Sequence, residues 1–178
     1  MHIAKLTILV TATMLLAPAA VQARILAYWA TPSGDPASAK TRSRATATAQ
    51  IYADVDATTL AVRMQVSGMP MTALWDTLGA APIGLVHLHQ YADVVFADPN
   101  ASLLAFPLPF GPSHQATEDG FTVDTGPQSY ATGMATLSSR ASFVEPFAAL
   151  DRSTMVLSIH TDAFNTGETS GPVIKAKN

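Results

Sequence analysis

Five histidines stand in a chain of 178 residues, and two of them, His87 and His89, are one residue apart in "GLVHLHQY" (84–91). In an extended segment, residues i and i+2 point to the same face and lie about 6.5 Å apart along the strand. Two imidazoles at that separation can converge on one ion at metal–nitrogen distances of about 2.0–2.1 Å. Neutral imidazole is a common protein ligand for Zn, Cu, Ni and Fe. A third histidine, His160, ends the apolar run in "MVLSIHTDAF", and a fourth, His114, lies in "FGPSHQ" after another apolar stretch. His87, His89, His160 and His114 are therefore the candidate metal ligands, enough for a three- or four-nitrogen copper or zinc site. A plainer role stands beside each. The H-x-H pair also suits two solvent-facing histidines, His160 a satisfied core histidine, and His114 a loop histidine without a task.

Other chemistry is thinly represented. There is no G-x-S-x-G elbow, and Ser113 beside His114 is adjacency, which does not aim a nucleophile at a base. The ten glycines are scattered in turns, with no phosphate loop. Asp93, Asp98, Asp119 and Asp124 are too irregularly spaced for a calcium loop. Met69 and Met71 are the one clustered methionine pair and read as core or loop filler. Trp75 reads as ordinary core packing, with a place over the site mouth as the alternative.

The elements that must position the histidines read as strands. In "TLAVRMQVS", Leu60, Val62, Met64 and Val66 alternate with Ala61, Arg63 and Gln65, the period-two pattern of a half-buried strand. "ATAQIYADV" before it and "YADVVFAD" (91–98) look alike, while "GFTVDT" (120–125) and "TMVLSIHT" (154–161) are shorter candidates. "SLLAFPLPF" (102–110) is apolar throughout, but Pro107 and Pro109 push it to an edge or irregular position. "ILAYWA" (25–30) is a candidate first strand inside a Pro-, Gly- and Ser-rich flexible lead-in, residues 24–44. One short helix is expected over 142–151, from Phe143, Phe147 and Leu150 at i, i+4 and i+7, with a Ser142/Glu145 capping box and Pro146 limiting its length. Many short strands joined by Pro/Gly/Asn/Asp loops predict an all-β fold, an antiparallel sandwich or barrel over residues 45–178.

The first 23 residues have a lysine, a short apolar run (Leu6 to Leu16), Pro18 and a Val21-Gln22-Ala23 end, the layout of a secretory signal peptide. The remaining 155 residues carry a net charge of about −4, no cysteine and no apolar run long enough to span a bilayer. That predicts an exported, periplasmic or secreted domain with no electrostatic footprint for nucleic acid.

"VHLH", with "FAALDRSTMVLSIHTDAFNTGETSGPVI" later, resembles the CHRD (chordin-type) domain over roughly residues 45–176. Val86 to His89 match its A-H-I-H-like strand, Leu157 to Thr161 its V-N-V-H-T strand, Asn165 to Glu168 its N/P-x-G-E turn, and Gly171 to Ile174 its closing strand. Ser170 stands where that family often carries a basic residue. The same features are distantly similar to copper/zinc superoxide dismutase, an Ig-like, Greek-key β fold. That likeness implies copper ligands at His87, His89 and His160 and a bridging position at His114. Between 114 and 160 there is no histidine for dedicated zinc ligation, the disulfide cysteines are missing, and no arginine stands near Gly167 to Ser170 to attract an anion. The resemblance thus implies a possible copper site ahead of zinc, and weighs against superoxide dismutation. The leading reading is an exported CHRD-like domain that binds one copper ion. The alternative is a metal-free module that meets a protein partner through loops such as 68–84 and 97–119; a degenerate dismutase-type enzyme ranks third.

Overall fold

The structure, a computed structural model, describes residues 23–35, 40–74, 76–96, 102–135 and 146–177. Residues 1–22 of the expected signal peptide, Trp75, residues 97 and 98 of the expected strand 91–98, and Ser142, Phe143 and Glu145 of the expected helix start lie outside these residues.

Among the described residues, eleven strands form two antiparallel sheets. The larger sheet has the order β11 (Ile174–Lys175), β1 (Ile25–Ala30), β2 (Thr46–Asp54), β3 (Thr59–Ser67), β7 (Gly120–Asp124), β6 (His114–Ala116). The two-residue β8 (Gln128–Ser129) also pairs with β3. The smaller sheet runs β10 (Thr169–Pro172), β9 (Met155–Ile159), β4 (Val86–Gln90), β5 (Leu103–Leu108). The arrangement is a sandwich that does not close into a barrel. The expected lead-in contributes β1, which takes a full place between β2 and β11. Beyond it Ser33 bridges Thr46 of the larger sheet and Ser170 of the smaller, tying the two together at one margin.

Alternation explains the larger sheet. Ala47, Ala49, Ile51 and Ala53 of β2 and Leu60, Val62, Met64 and Val66 of β3 point inward and are buried. They meet Val86 and Leu88 of β4, Phe106 and Leu108 of β5, and Met155, Leu157 and Ile159 of β9 in one core. All five residues of β9 are buried, so its second face is covered too. Of the edge or irregular position that Pro107 and Pro109 predict, β5 takes the edge, paired among the described residues with β4 alone.

Two expectations need correction. Residues 91–96 are a turn and not a strand: the Val95 amide donates to Asp93 Oδ1 (2.9 Å), and Phe96 has φ +51°. The strand lies just before, at β4. Instead of one helix, the described residues hold three short ones, α1 (Asp76–Gly79), α2 (Tyr130–Ala135) and α3 (Pro146–Asp151), with a 3-10 turn at Met71–Ala73. Pro146 opens α3, the helical position where a missing N–H costs nothing. None of the described helices is long and apolar enough to cross a membrane.

Candidate metal centre

His87 and His89 stand on the face of β4 opposite Val86 and Leu88, and so on the outside of the smaller sheet. A β-bulge at Ala105 shifts the β4–β5 register between Leu88 and His89, but the pairing of β4 with β9 runs through without a shift. The two imidazoles therefore keep their common face. In that pairing Val86 lies opposite Ile159 and His87 opposite Ser158, and the amide of the next residue, His160, donates to Leu85 O (2.9 Å). This brings His160 level with the pair. Ring centroids are 4.4 Å apart for His87–His160, 4.8 Å for His87–His89 and 5.8 Å for His89–His160. One ring nitrogen from each lies within 4.8 Å of the other two.

Each Nδ1 is occupied. His87 Nδ1–H donates to Gly84 O (3.2 Å) and His160 Nδ1–H to Asn165 O (2.9 Å), while His89 Nδ1 pairs with Ser102 Oγ (3.1 Å). A carbonyl only accepts, so His87 and His160, when neutral, carry their proton on Nδ1 and leave Nε2 as a lone pair. His160 Nε2 is buried and has no hydrogen-bond partner. A buried polar atom left unpaired is costly, and an ion is one way to satisfy it.

Electrostatics favour the same state. Burial, then the charges His89 and His160 would carry, hold His87 well below the usual histidine range. Burial, then His160, pulls His89 down to about 3, and burial lowers His160 as well. The rings are thus neutral at ordinary pH, the form that binds metal. His87 and His160 are buried, and His89 is the partly exposed member that opens to solvent.

The frame around the rings is local. Gly84 has φ +70°, and a Cβ there would sit 2.1 Å from Leu108 O, so only glycine can present that carbonyl to His87. After His160, the chain folds tightly: the amides of Phe164 and Gly167 donate to Thr161 O and Phe164 O. This turn delivers Asn165 O to the His160 ring. Glu168 then clamps it, accepting from Thr161 Oγ1 (2.6 Å) and from the Ser43 hydroxyl.

His114 is placed elsewhere. It lies on β6 of the larger sheet, with Phe110 and Phe121 centroids 5.0 and 6.3 Å from its ring, and is not part of the three-histidine cluster. Burial brings it down to about 4. Sequence reasoning did not reach Ser102 or the Gly84 and Asn165 carbonyls. A backbone acceptor carries no side-chain signature, and a lone serine carries little.

No curated protein and no solved structure matches the chain, so the likeness to copper/zinc superoxide dismutase finds no support there. A family model does match, that of the CHRD domain, over residues 29–173. That span runs from the end of β1 through β10 and takes in all three clustered histidines, and the chain belongs to the CHRD domain family.

Proposed function

We propose that this protein is an exported CHRD domain that binds one transition-metal ion, copper, through His87, His89 and His160. The observation that carries the reading is the buried, unpartnered Nε2 of His160, whose ring is fixed from behind by Asn165 O and which lies in a cluster with two further imidazoles. Three nitrogens at about 2.0–2.1 Å from one ion would lie about 3.3–3.6 Å apart, so the rings need to close by roughly an ångström. An all-imidazole set without carboxylate or thiolate suits copper, which also leads the divalent affinity order. Zinc, which takes a fourth ligand readily, is the second choice. Export rests on the charged, apolar and small-residue layout of residues 1–23.

The domain acts here as a metal binder and not as a superoxide enzyme. No arginine stands in the Gly167 to Ser170 turn, and a domain of about −4 charge repels an anionic substrate. Exposed Val94 and Val95, in the turn that follows β4, favour contact with a protein partner as a second reading.

Copper(II) titration of the purified protein, read by calorimetry and electron paramagnetic resonance, tests the proposal. The expected result is one tight equivalent with nitrogen hyperfine structure, lost in His87→Ala and in His160→Ala. Weak binding that both variants leave unchanged would overturn it and favour the metal-free partner reading.

A further inference from the structure

We propose that the outer face of the larger sheet, remote from the histidine cluster, binds a neutral oligosaccharide. Two rows of side chains run across the strands there. In the first, Trp29 of β1 lies opposite Gln50 of β2, Gln50 opposite Arg63 of β3, and Arg63 opposite Asp124 of β7. In the second, Thr48 lies opposite Gln65, Gln65 opposite Thr122, and Thr122 opposite Gln115 of β6. Together they line a depression of about 480 Å³, within the size range of ligand sites.

The chemistry of the lining selects the ligand. Arg63 Nε and Asp124 Oδ2 pair at 3.3 Å, so the two charges in the rows cancel and neither a polyanion nor a polycation is favoured. What remains is amide and hydroxyl, groups that both donate and accept. Tyr52 Oη donates to Gln50 Oε1 (2.8 Å), which orients that amide and leaves its NH2 free to donate. Trp29 closes one end with 47% of its surface exposed, an indole plane on which the C–H face of a sugar ring can stack. A second depression, of about 300 Å³, begins on the other side of Trp29, so the indole stands as a ridge between two hollows. A neutral polyhydroxylated chain, with C–H faces and ring hydroxyls, is complementary to this combination. An apolar ligand would strand the amides. Strands spaced about 4.8 Å apart make the face that the two rows cover, from β1 to β6, roughly 19 Å across, room for about four pyranose rings each near one strand spacing in length.

Solvated faces of antiparallel sheets are polar too, but this one has three glutamines on registered positions, no lysine in either row, and a half-exposed tryptophan at its end. The test is calorimetry and tryptophan fluorescence on the full protein with cellohexaose, xylohexaose, mannohexaose and chitohexaose. One of them should bind with a Kd of about 0.01–1 mM, weakened tenfold or more by Trp29→Ala and by Gln65→Ala, and insensitive to added salt. Trp29→Tyr, which keeps an aromatic plane, should retain part of the affinity. Far-ultraviolet circular dichroism and the melting temperature establish that each variant is folded. Absence of saturable binding by all four sugars up to about 10 mM would overturn the proposal. So would binding that Trp29→Ala and Gln65→Ala leave intact, or retention only of charged, salt-sensitive polymers such as heparin.

Discussion

Acid should destabilise the metal-free domain through its histidines, by an amount that the geometry sets. Below pH 6.5 an unfolded chain takes up a proton at each histidine, whereas burial keeps His87 and His89 neutral in the fold, the latter down to about pH 3. The native state then binds fewer protons than the unfolded state, so the free energy of unfolding falls as pH falls. Their contribution is intact above pH 6.5 and is lost progressively below it, through a window that extends toward pH 3 for His89. Each neutral histidine removes about 1.4 kcal/mol for each pH unit below 6.5. At pH 5.5 the pair costs about 3 kcal/mol, a large share of the roughly 5–15 kcal/mol that holds an ordinary domain together. His160 and His114, lowered by burial as well, act in the same direction. Urea unfolding at a series of pH values, in the presence of a chelator, reads the effect. The expected midpoint falls steeply from pH 7.5 to 5.5, and His87→Gln with His89→Gln flattens the profile by about 3 kcal/mol over that range. A profile that is level over this range, or one that the double variant leaves unchanged, would refute the view that these rings are buried and neutral.

Other outcomes follow from the surroundings of the cluster. Ser102→Ala, which removes the partner of His89 Nδ1, should weaken copper binding about tenfold without changing its stoichiometry, as a competition titration would reveal. Glu168→Ala removes the acceptor shared by Thr161 and Ser43. It should cost about 2 kcal/mol and lower Tm by about 4–8 °C, measured by differential scanning calorimetry. His114→Ala, on the opposite sheet, should leave copper affinity and stoichiometry unaltered, and any loss of the bound equivalent would place His114 in the site after all.

The sequence was most legible where one face of a strand meets water. β2, β3 and β7 alternate because one side of each is solvated, and Pro107 and Pro109 marked the segment of β5 for an edge or irregular position. β4 shows its Val-His-Leu-His alternation although both of its faces are covered over Val86 to Leu88, whereas the neighbouring alternation, over 91–96, belongs to a turn made by Asp93. Within the site, the shared face of His87 and His89 follows from a period of two. The addition of His160 depends on β9 pairing with β4, a long-range event that local pattern does not record. The same limitation accounts for His114, which sits beside a strand like the others but in the other sheet. The CHRD-like motif ends supplied what periodicity could not, because they tie the early H-x-H to the late histidine and its turn.

The place of β1 has a consequence for how the chain assembles. One side of β1 pairs with β2, a near neighbour in sequence, but its other side is covered only by β11, through Tyr28 with Lys175 and Trp29 with Ile174. β1 thus keeps an open edge until β11, about 145 residues later in sequence, reaches it. Contacts of such long sequence separation form slowly, and an open edge beside exposed Ile25 and Trp29 is a template for a second chain. Loss of β11 therefore removes more than two paired residues. It converts a covered sheet edge into an adhesive margin, so that nicking before β11 endangers solubility more than local stability.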